Sequence, residues 1–400
     1  MQEPVEHTVL NTETDLQNDS CLDTLALCSS LISACLIASL IVAQRGWVCP
    51  QRTYPRLPLL DSFSIADPLE PIFYSAMLLA LLAYNFSGRK KFFAAIFGFA
   101  TAATIALDQT RLQPWLYLLS IMLFLIASAK SANIGNSMSV LNALRICIVG
   151  TYLFAGIQKL NVSFCQIVVP SMFPKFMPAP PPDLCMAIGI PAAIVETSLA
   201  VFLILPATRS FGAWLAISFH AVTLWMITQQ GWNAVVWPWN ISMMLLVYLL
   251  FIRSKPESLS KFCLPDSLQK ILATVIFILL PVLNFYGMWP YYLSAALYSG
   301  NTPVLRAVVA KEDEERLPAA IRQAIDISCA DGPTLVAERW GIEELGIPSF
   351  PEVNSLEKLA SKLVASGKFS NSKIYIDTYP RFFEGEKRRR AVYLSATESR

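Results

Sequence analysis

The sequence predicts an all-α polytopic membrane bundle of about nine transmembrane helices followed by a small soluble α+β domain, and three observations support this. Of 400 residues, 54% are hydrophobic and 15% charged, whereas a soluble chain carries roughly a quarter of charged residues. The apolar residues gather into runs near the length of about 20 that a helix needs to cross a bilayer. From about residue 300 the composition changes, and strand-like and helical periods replace the apolar runs.

Residues 1–23 carry Glu3, Glu6, Asp15, Asp19 and Asp23 but no Lys or Arg, the reverse of a secretory signal, and read as a disordered acidic leader. The membrane domain, residues 24–299, holds apolar runs near 24–43, 69–86, 92–107, 114–129, 139–158, 184–205, 211–228, 233–252 and 271–293. The third and fourth are short, and "ALDQTRLQPW" between them reads as a tight polar turn. The ninth contains Pro281 and Pro290 and is expected to kink. No internal repeat is visible, which removes the simplest case for an inverted-repeat transporter. In the tail, residues 300–400, "VLRAVVAKEDEERLPAAIRQAI" starts as a strand and turns helical, and "SKIYIDTYP" reads as another strand. The "EKRRR" at Glu386–Arg390 reads as a solvated turn.

The net charge of +2 is spread along the chain, so nothing suggests nucleic acid as a partner. Cys28, Cys35, Cys147 and Cys185 fall in apolar runs without a C-x-x-C pair and read as small apolar groups. No metal is expected, because no ligand spacing of the usual kind surrounds the histidines. Lys and Arg are more numerous in the loops holding Arg89, Lys90, Lys91, Lys130 and Arg253 than in the opposite loops. That asymmetry places the N-terminus in the cytoplasm and the tail outside.

Helix parity assigns sides independently of orientation. Asp108 and Arg111, Lys159, the Trp232–Asn233 turn and the tail all fall on one face. At 1.5 Å per residue, His220 and Asn240 lie roughly 10 to 12 Å below that face, and Glu196 deeper. An ionisable group inside a bilayer costs about 2.5–3.5 kcal/mol on insertion scales. Glu196 therefore reads as an interhelical hydrogen-bonding carboxyl or as a functional acid, base or relay. His220 reads as a satisfied imidazole or as a relay. Lys159 reads as a snorkelling anchor or as a partly desolvated base, and periodicity does not choose. Arg145 reads as an interfacial anchor or ion-pair partner. "GWNAVVWPWN", with Trp237, Pro238 and Asn240, is either an aromatic belt or a pocket wall suited to a quinone or lipid head. "FCQIVVPSMFPKFMPAPPPDLC", Phe164–Cys185, is too proline-rich for a helix and reads as an interfacial or re-entrant loop capping the same face. The sequon at Asn161–Ser163 sits at a membrane edge and is discounted.

Tyr152, Ala155, Gly156, Lys159 and Leu160 in "YLFAGIQKLNVSF" resemble the Y-x-x-A-G-x-x-K-L motif, followed by an aromatic, of the HTTM family. This is the membrane domain shared by vitamin K-dependent gamma-carboxylase and bacterial relatives. "LDQTRLQPWLY", Asp108–Tyr117, looks like the polar turn of bacterial members, and "ETSLAVFLILPATRSFGAWLAISFH", Glu196–His220, is similar to their E…R…H layout. The resemblance covers residues 60–300. It implies a bacterial inner-membrane protein with Lys159 at the position of the base that deprotonates reduced vitamin K. Quinone or a vitamin K-like hydroquinone is then the expected cofactor. Catalytic candidates are Lys159, His220 and Glu196, and cofactor-contacting candidates are Asp108, Arg111, Trp115, Trp237 and Asn240. Two departures stand out: Gln158 replaces the lysine preceding the base, and Gln113-Pro114-Trp115 stands where the carboxylase has a histidine-containing segment. The expected partners are membrane lipid, a lipid-soluble quinone and an extracytoplasmic protein. The alternatives are a non-enzymatic scaffold presenting its tail, or a proton-coupled transporter using Glu196 and His220.

Overall fold

The computed structural model describes residues 5–60, 69–129, 134–173, 180–231, 233–254, 258–327, 329–379 and 387–393. Among the described residues, seven helices are long and apolar enough to cross a membrane: Ser20–Val42 within α1 (Val5–Val42), α2 (Leu69–Phe86), α3 (Lys90–Leu107), Gly135–Lys159 within α5 (Ile134–Lys159), α6 (Pro182–Ile204), Arg209–Gln229 within α7 (Arg209–Gln230) and α8 (Val236–Arg253). The two remaining expected spans are shorter apolar helices, α4 (Pro114–Ala127) and α9 (Leu268–Asn284). The ninth was expected to reach residue 293, but Gly287 at φ 74 ends it early. A π turn, Val275–Leu279, stands just before Pro281 and relieves the i−4 clash of a helical proline. The expected disordered leader is drawn as helix from Val5, continuous with the first span. Likewise, Phe164–Met172 is helical, one π turn then one α turn, where a non-helical loop was expected. Pro170 sits at the start of the α turn, where no N–H is required.

α5 is the hub. Of its apolar stretch 89% is buried, against 22% to 44% in the other six spans. Small residues permit this, because membrane helices associate through close packing rather than a hydrophobic drive. A Cβ on Gly150 would lie 2.4 Å from the Phe277 carbonyl oxygen, and one on Gly156 would lie 2.3 Å from the Thr197 backbone nitrogen. The second contact seats α5 directly on α6.

The tail is a five-stranded antiparallel sheet in the order β2 (Ile325–Asp326), β3 (Thr334–Val336), β1 (Val304–Val308), β4 (Lys373–Thr378), β5 (Arg388–Tyr393). Its two longer helices are α10 (Ala337–Leu345) and α11 (Val353–Ala365), besides single turns at Lys311–Glu314 and Ala319–Gln323. Alternation in β1 and β4 buries Leu305, Ala307, Ile374 and Ile376 in a core shared with Leu356 and Leu359 of α11. Arg388–Arg390, expected in a solvated turn, belong to β5, where Arg389 pairs with Asp377; Glu386 lies outside the described residues.

The tail docks on the ends of the bundle helices that parity places on one face. Glu344 accepts from the backbone N–H groups of Thr53 and Tyr54, from Thr53 Oγ1 at 2.6 Å and from Trp340 Nε1 at 2.7 Å. Gln113 Nε2 donates to the Pro348 carbonyl at 3.2 Å, and the Tyr292 hydroxyl to that of Ser349 at 3.0 Å.

Gly156→Leu is expected to force α5 and α6 apart and cost about 3 kcal/mol or abolish folding. Gly88→Ala, with no atom within 4 Å of the added Cβ, is expected to be silent. Thermal unfolding of both variants in detergent checks this.

Candidate functional site

A cavity of about 320 Å³ opens between α5, α6, α7 and α8. Its upper wall is the helical segment after α5, through Phe164, Val169, Met172 and Phe173, and the connection to the tail, through Ala295, Leu297 and Tyr298. Of the stretch expected to cap this face, these residues line the cavity, and residues 174–179 lie outside the described residues.

Lys159 is the last residue of α5, and its side chain turns into this cavity instead of toward a headgroup layer. Nζ lies 2.9 and 2.7 Å from the two carboxylate oxygens of Glu196, and the side chains are 13% and 8% exposed. The snorkelling reading of Lys159 is thereby replaced by an internal ion pair. Glu196 is one residue before Thr197, which touches Gly156, so the close helix contact sets the pair's geometry.

A second group faces the same cavity. His220 Nδ1 is 2.8 Å from Asn240 Oδ1, and Nε2 is 2.9 Å from the Tyr152 hydroxyl. Asn240 Nδ2 donates to the Val236 carbonyl at 2.8 Å, which fixes Oδ1 as the atom facing the ring. An amide oxygen only accepts, so Nδ1 carries the proton of the neutral imidazole and Nε2 accepts from Tyr152. The Tyr152 proton therefore points at His220, leaving the oxygen's remaining lone pair free for a ligand.

The other expected contacts lie elsewhere. Asp108 is fully buried and bound to Arg52 at 2.6 Å, to Thr110 Oγ1 at 2.8 Å and to the Leu57 N–H at 3.2 Å. Arg111 binds Glu70 at 2.7 Å and the carbonyls of Gly46, Trp47 and Thr104. Trp115 is buried against Trp47, with ring centroids 6.0 Å apart. These three tie the segment after α1 to the α3–α4 turn and do not line the cavity. Trp237 is 36% exposed and also off the wall, while its neighbour Trp239 is on it. Parity gives the level of a residue but not its bearing around the bundle. Arg145 is fully buried and donates to the carbonyls of Leu250 and Ser254 and to Asn142, serving the end of α8 instead of an interface.

Gln158 is buried in an amide chain. Its Nε2 donates to Asn284 Oδ1 at 2.8 Å and its Oε1 accepts from Asn301 Nδ2 at 2.9 Å. Asn161 is also buried, donating to the carbonyls of Gln158 and Ser299, so the sequon is closed in the fold. Among the described residues no group of three His, Cys, Asp or Glu side chains is placed to hold a metal.

Residues missed from sequence are Tyr152, as the partner of His220, and Tyr298 and Ala295. The last two sit at positive φ, 53 and 56, as does Asn233 at 29, which donates to the Tyr298 hydroxyl at 2.6 Å. Of the positive-φ non-glycine residues described, Ala295 and Tyr298 line the cavity and Asn233 is bonded to one of them, and backbone strain of this kind concentrates at functional sites. Tyr152 was legible as a motif residue, but no pattern in sequence pairs it with His220. Set against protein-family models, curated proteins and solved structures, the chain matches none.

Two outcomes are expected. The chain has two histidines, so a His7→Gln variant labelled with 15N-histidine reports His220 alone, and its NMR shifts are expected to show the Nδ1–H tautomer. The Asp108 network predicts acid sensitivity. Burial works to raise the Asp108 pKa, but the charges of Arg52 and Arg111 outweigh it and hold the carboxyl below its ordinary range. A depressed carboxyl stabilises above its unfolded-state value and loses that contribution as pH falls through the folded one. The thermal midpoint should thus be flat from about pH 8 to 5 and fall below about pH 4, with a shallower acid limb in Asp108→Asn.

Proposed function

We propose that this chain is an HTTM-type membrane enzyme that takes a quinone or related lipid-soluble redox partner into the α5–α8 cavity, with Lys159 as the base. The observation that carries the reading is the Lys159–Glu196 pair on an otherwise largely apolar wall. Desolvating two charges costs several kcal/mol and contributes little net stability, so such a pair is better explained by action on a ligand.

What the pair would supply to a hydroquinone bound in the cavity is a proton acceptor at Lys159 Nζ, held in place by the two carboxylate oxygens of Glu196. Tyr152, two turns back along α5, and His220 of α7 form a second acid–base pair on the same cavity. The reading stops at deprotonation. Gln158, where the carboxylase has a second lysine, is engaged with Asn284 and Asn301, so glutamate carboxylation is not part of the proposal. A bacterial inner-membrane location, with the N-terminus cytoplasmic and the tail outside, belongs to the same proposal.

Protein purified gently in detergent is expected to retain a quinone or other lipid, read by mass spectrometry of its organic extract. Added quinone is expected to raise the thermal midpoint by several degrees, and Lys159→Met to lose that response. Lys159→Met/Glu196→Gln, which leaves no uncompensated charge, separates folding from binding. Absence of a retained lipid, together with no difference between wild type and Lys159→Met, would defeat the proposal. The scaffold alternative makes the opposite forecast: removing residues 300–400 abolishes every phenotype while Lys159→Met is silent.

A further inference from the structure

We infer that the cavity's ligand arrives sideways from the bilayer, through a window between the first half of α6 and the second half of α7. It is then a long-chain lipid whose head reaches Lys159 while its chain stays among the membrane's acyl chains. The inference rests on the quinone-type reading of the site and adds the ligand's class and route.

The window is defined by residues that wall the cavity and also face outward. Ile188 of α6 and Val222 of α7 line the cavity, yet are 37% and 55% exposed on the surface of the bundle. Ala192 and Met226 stand behind them on the same two helices. These four side chains are apolar, so the rim suits hydrocarbon, whereas a water-soluble ligand would be stripped of its hydration to cross it.

The sequence places the tight packing of the two helices away from this window. At their joined end they are pinched: a Cβ on Gly212 would lie 2.5 Å from that of Phe202, and Arg209 donates to the carbonyls of Leu203 and Ile204. At the other end Pro191 sits inside α6, where it removes the N–H that the Ala187 carbonyl would accept from and crowds that turn. Gly189 there is pressed on Cys165, whose Sγ would lie 2.6 Å from an added Cβ. The first half of α6 is thus committed to the segment after α5, whereas the close packing against α7 lies at the joined end of the hairpin.

The cavity's polarity runs the same way. The Lys159–Glu196 and Tyr152–His220 pairs sit inside and the apolar rim outside, an arrangement that orients an amphiphile head-inward. A volume of about 320 Å³ lies at the lower end of the range for small-molecule sites. It accommodates a ring-sized head, and a chain of many isoprene or methylene units has to leave through the window.

The test uses full-length protein in lipid nanodiscs and two probes at equal mole fraction: a benzoquinone or naphthoquinone bearing a long isoprenoid chain, and the same ring with a methyl in its place. Thermal shift against concentration is read for wild type, Val222→Trp and Ile188→Trp. Both substitutions add bulk on the lipid-facing side, and unliganded midpoints within about two degrees of wild type show that they fold. Val222→Phe serves if either does not. The expected result is a midpoint concentration for the long-chain probe at least about tenfold lower than for the methyl probe. Each Trp variant should weaken the long-chain probe about tenfold and the methyl probe less than about twofold. If both probes bind wild type and the Trp variants affect them equally or not at all, the window is wrong and the site reading stands. If neither probe shifts wild type, both fall.

Discussion

Lys159 and Glu196 are two charges that α5 and α6 could not each carry alone through a bilayer, and the contact that joins them organises much of the membrane domain. Gly156 removes the one atom that would hold the helices apart, so Thr197 comes against α5 and Glu196 reaches the lysine. Once seated, α6 has its Pro191 turn beside the cavity, and α7 follows across a pinched hairpin that brings His220 to Tyr152. A single glycine contact thus places both acid–base pairs on one wall system.

The face that carries the tail holds two polar networks with different work. Arg52, Asp108, Glu70 and Arg111 form a closed set in which each charge meets an opposite charge or a carbonyl, and its role is to bind the segment after α1 to the α3–α4 turn. The cavity network is paired but open to a space large enough for a ligand. Between them run the amides Asn161, Gln158, Asn284 and Asn301, which fasten the end of α5 to α9 and to the start of the tail. The strained residues Ala295 and Tyr298 lie in the stretch these amides hold down. Docking of the tail and the shape of the cavity's upper wall are therefore set by the same connections.

Much of this was legible in the chain. Apolar runs located the helices, and parity put Lys159, His220 and Asn240 on one side and at compatible depths; His220 and Asn240 are hydrogen-bonded to one another. What parity cannot supply is bearing around the bundle axis, and so Asp108, Arg111 and Trp115, correct in level, belong to a different network. Depth was misjudged for Glu196, placed well below Lys159 although the two touch, because counting residues along separate helices ignores where each begins relative to the other. The π turns in α8 and α9 have no sequence period of their own. The role of Gly156 depends on what lies opposite it, which composition does not reveal.

The central claim is that the Lys159–Glu196 cavity holds a quinone head, and photoaffinity labelling with an azido-quinone tests it most directly. Mapping of the labelled peptides is predicted to place the adduct within residues 151–159, 219–227 or 295–298, the stretches that wall the cavity, with labelling suppressed by excess unmodified quinone. Adducts confined to lipid-facing surfaces elsewhere, or labelling that excess quinone does not reduce, would contradict it.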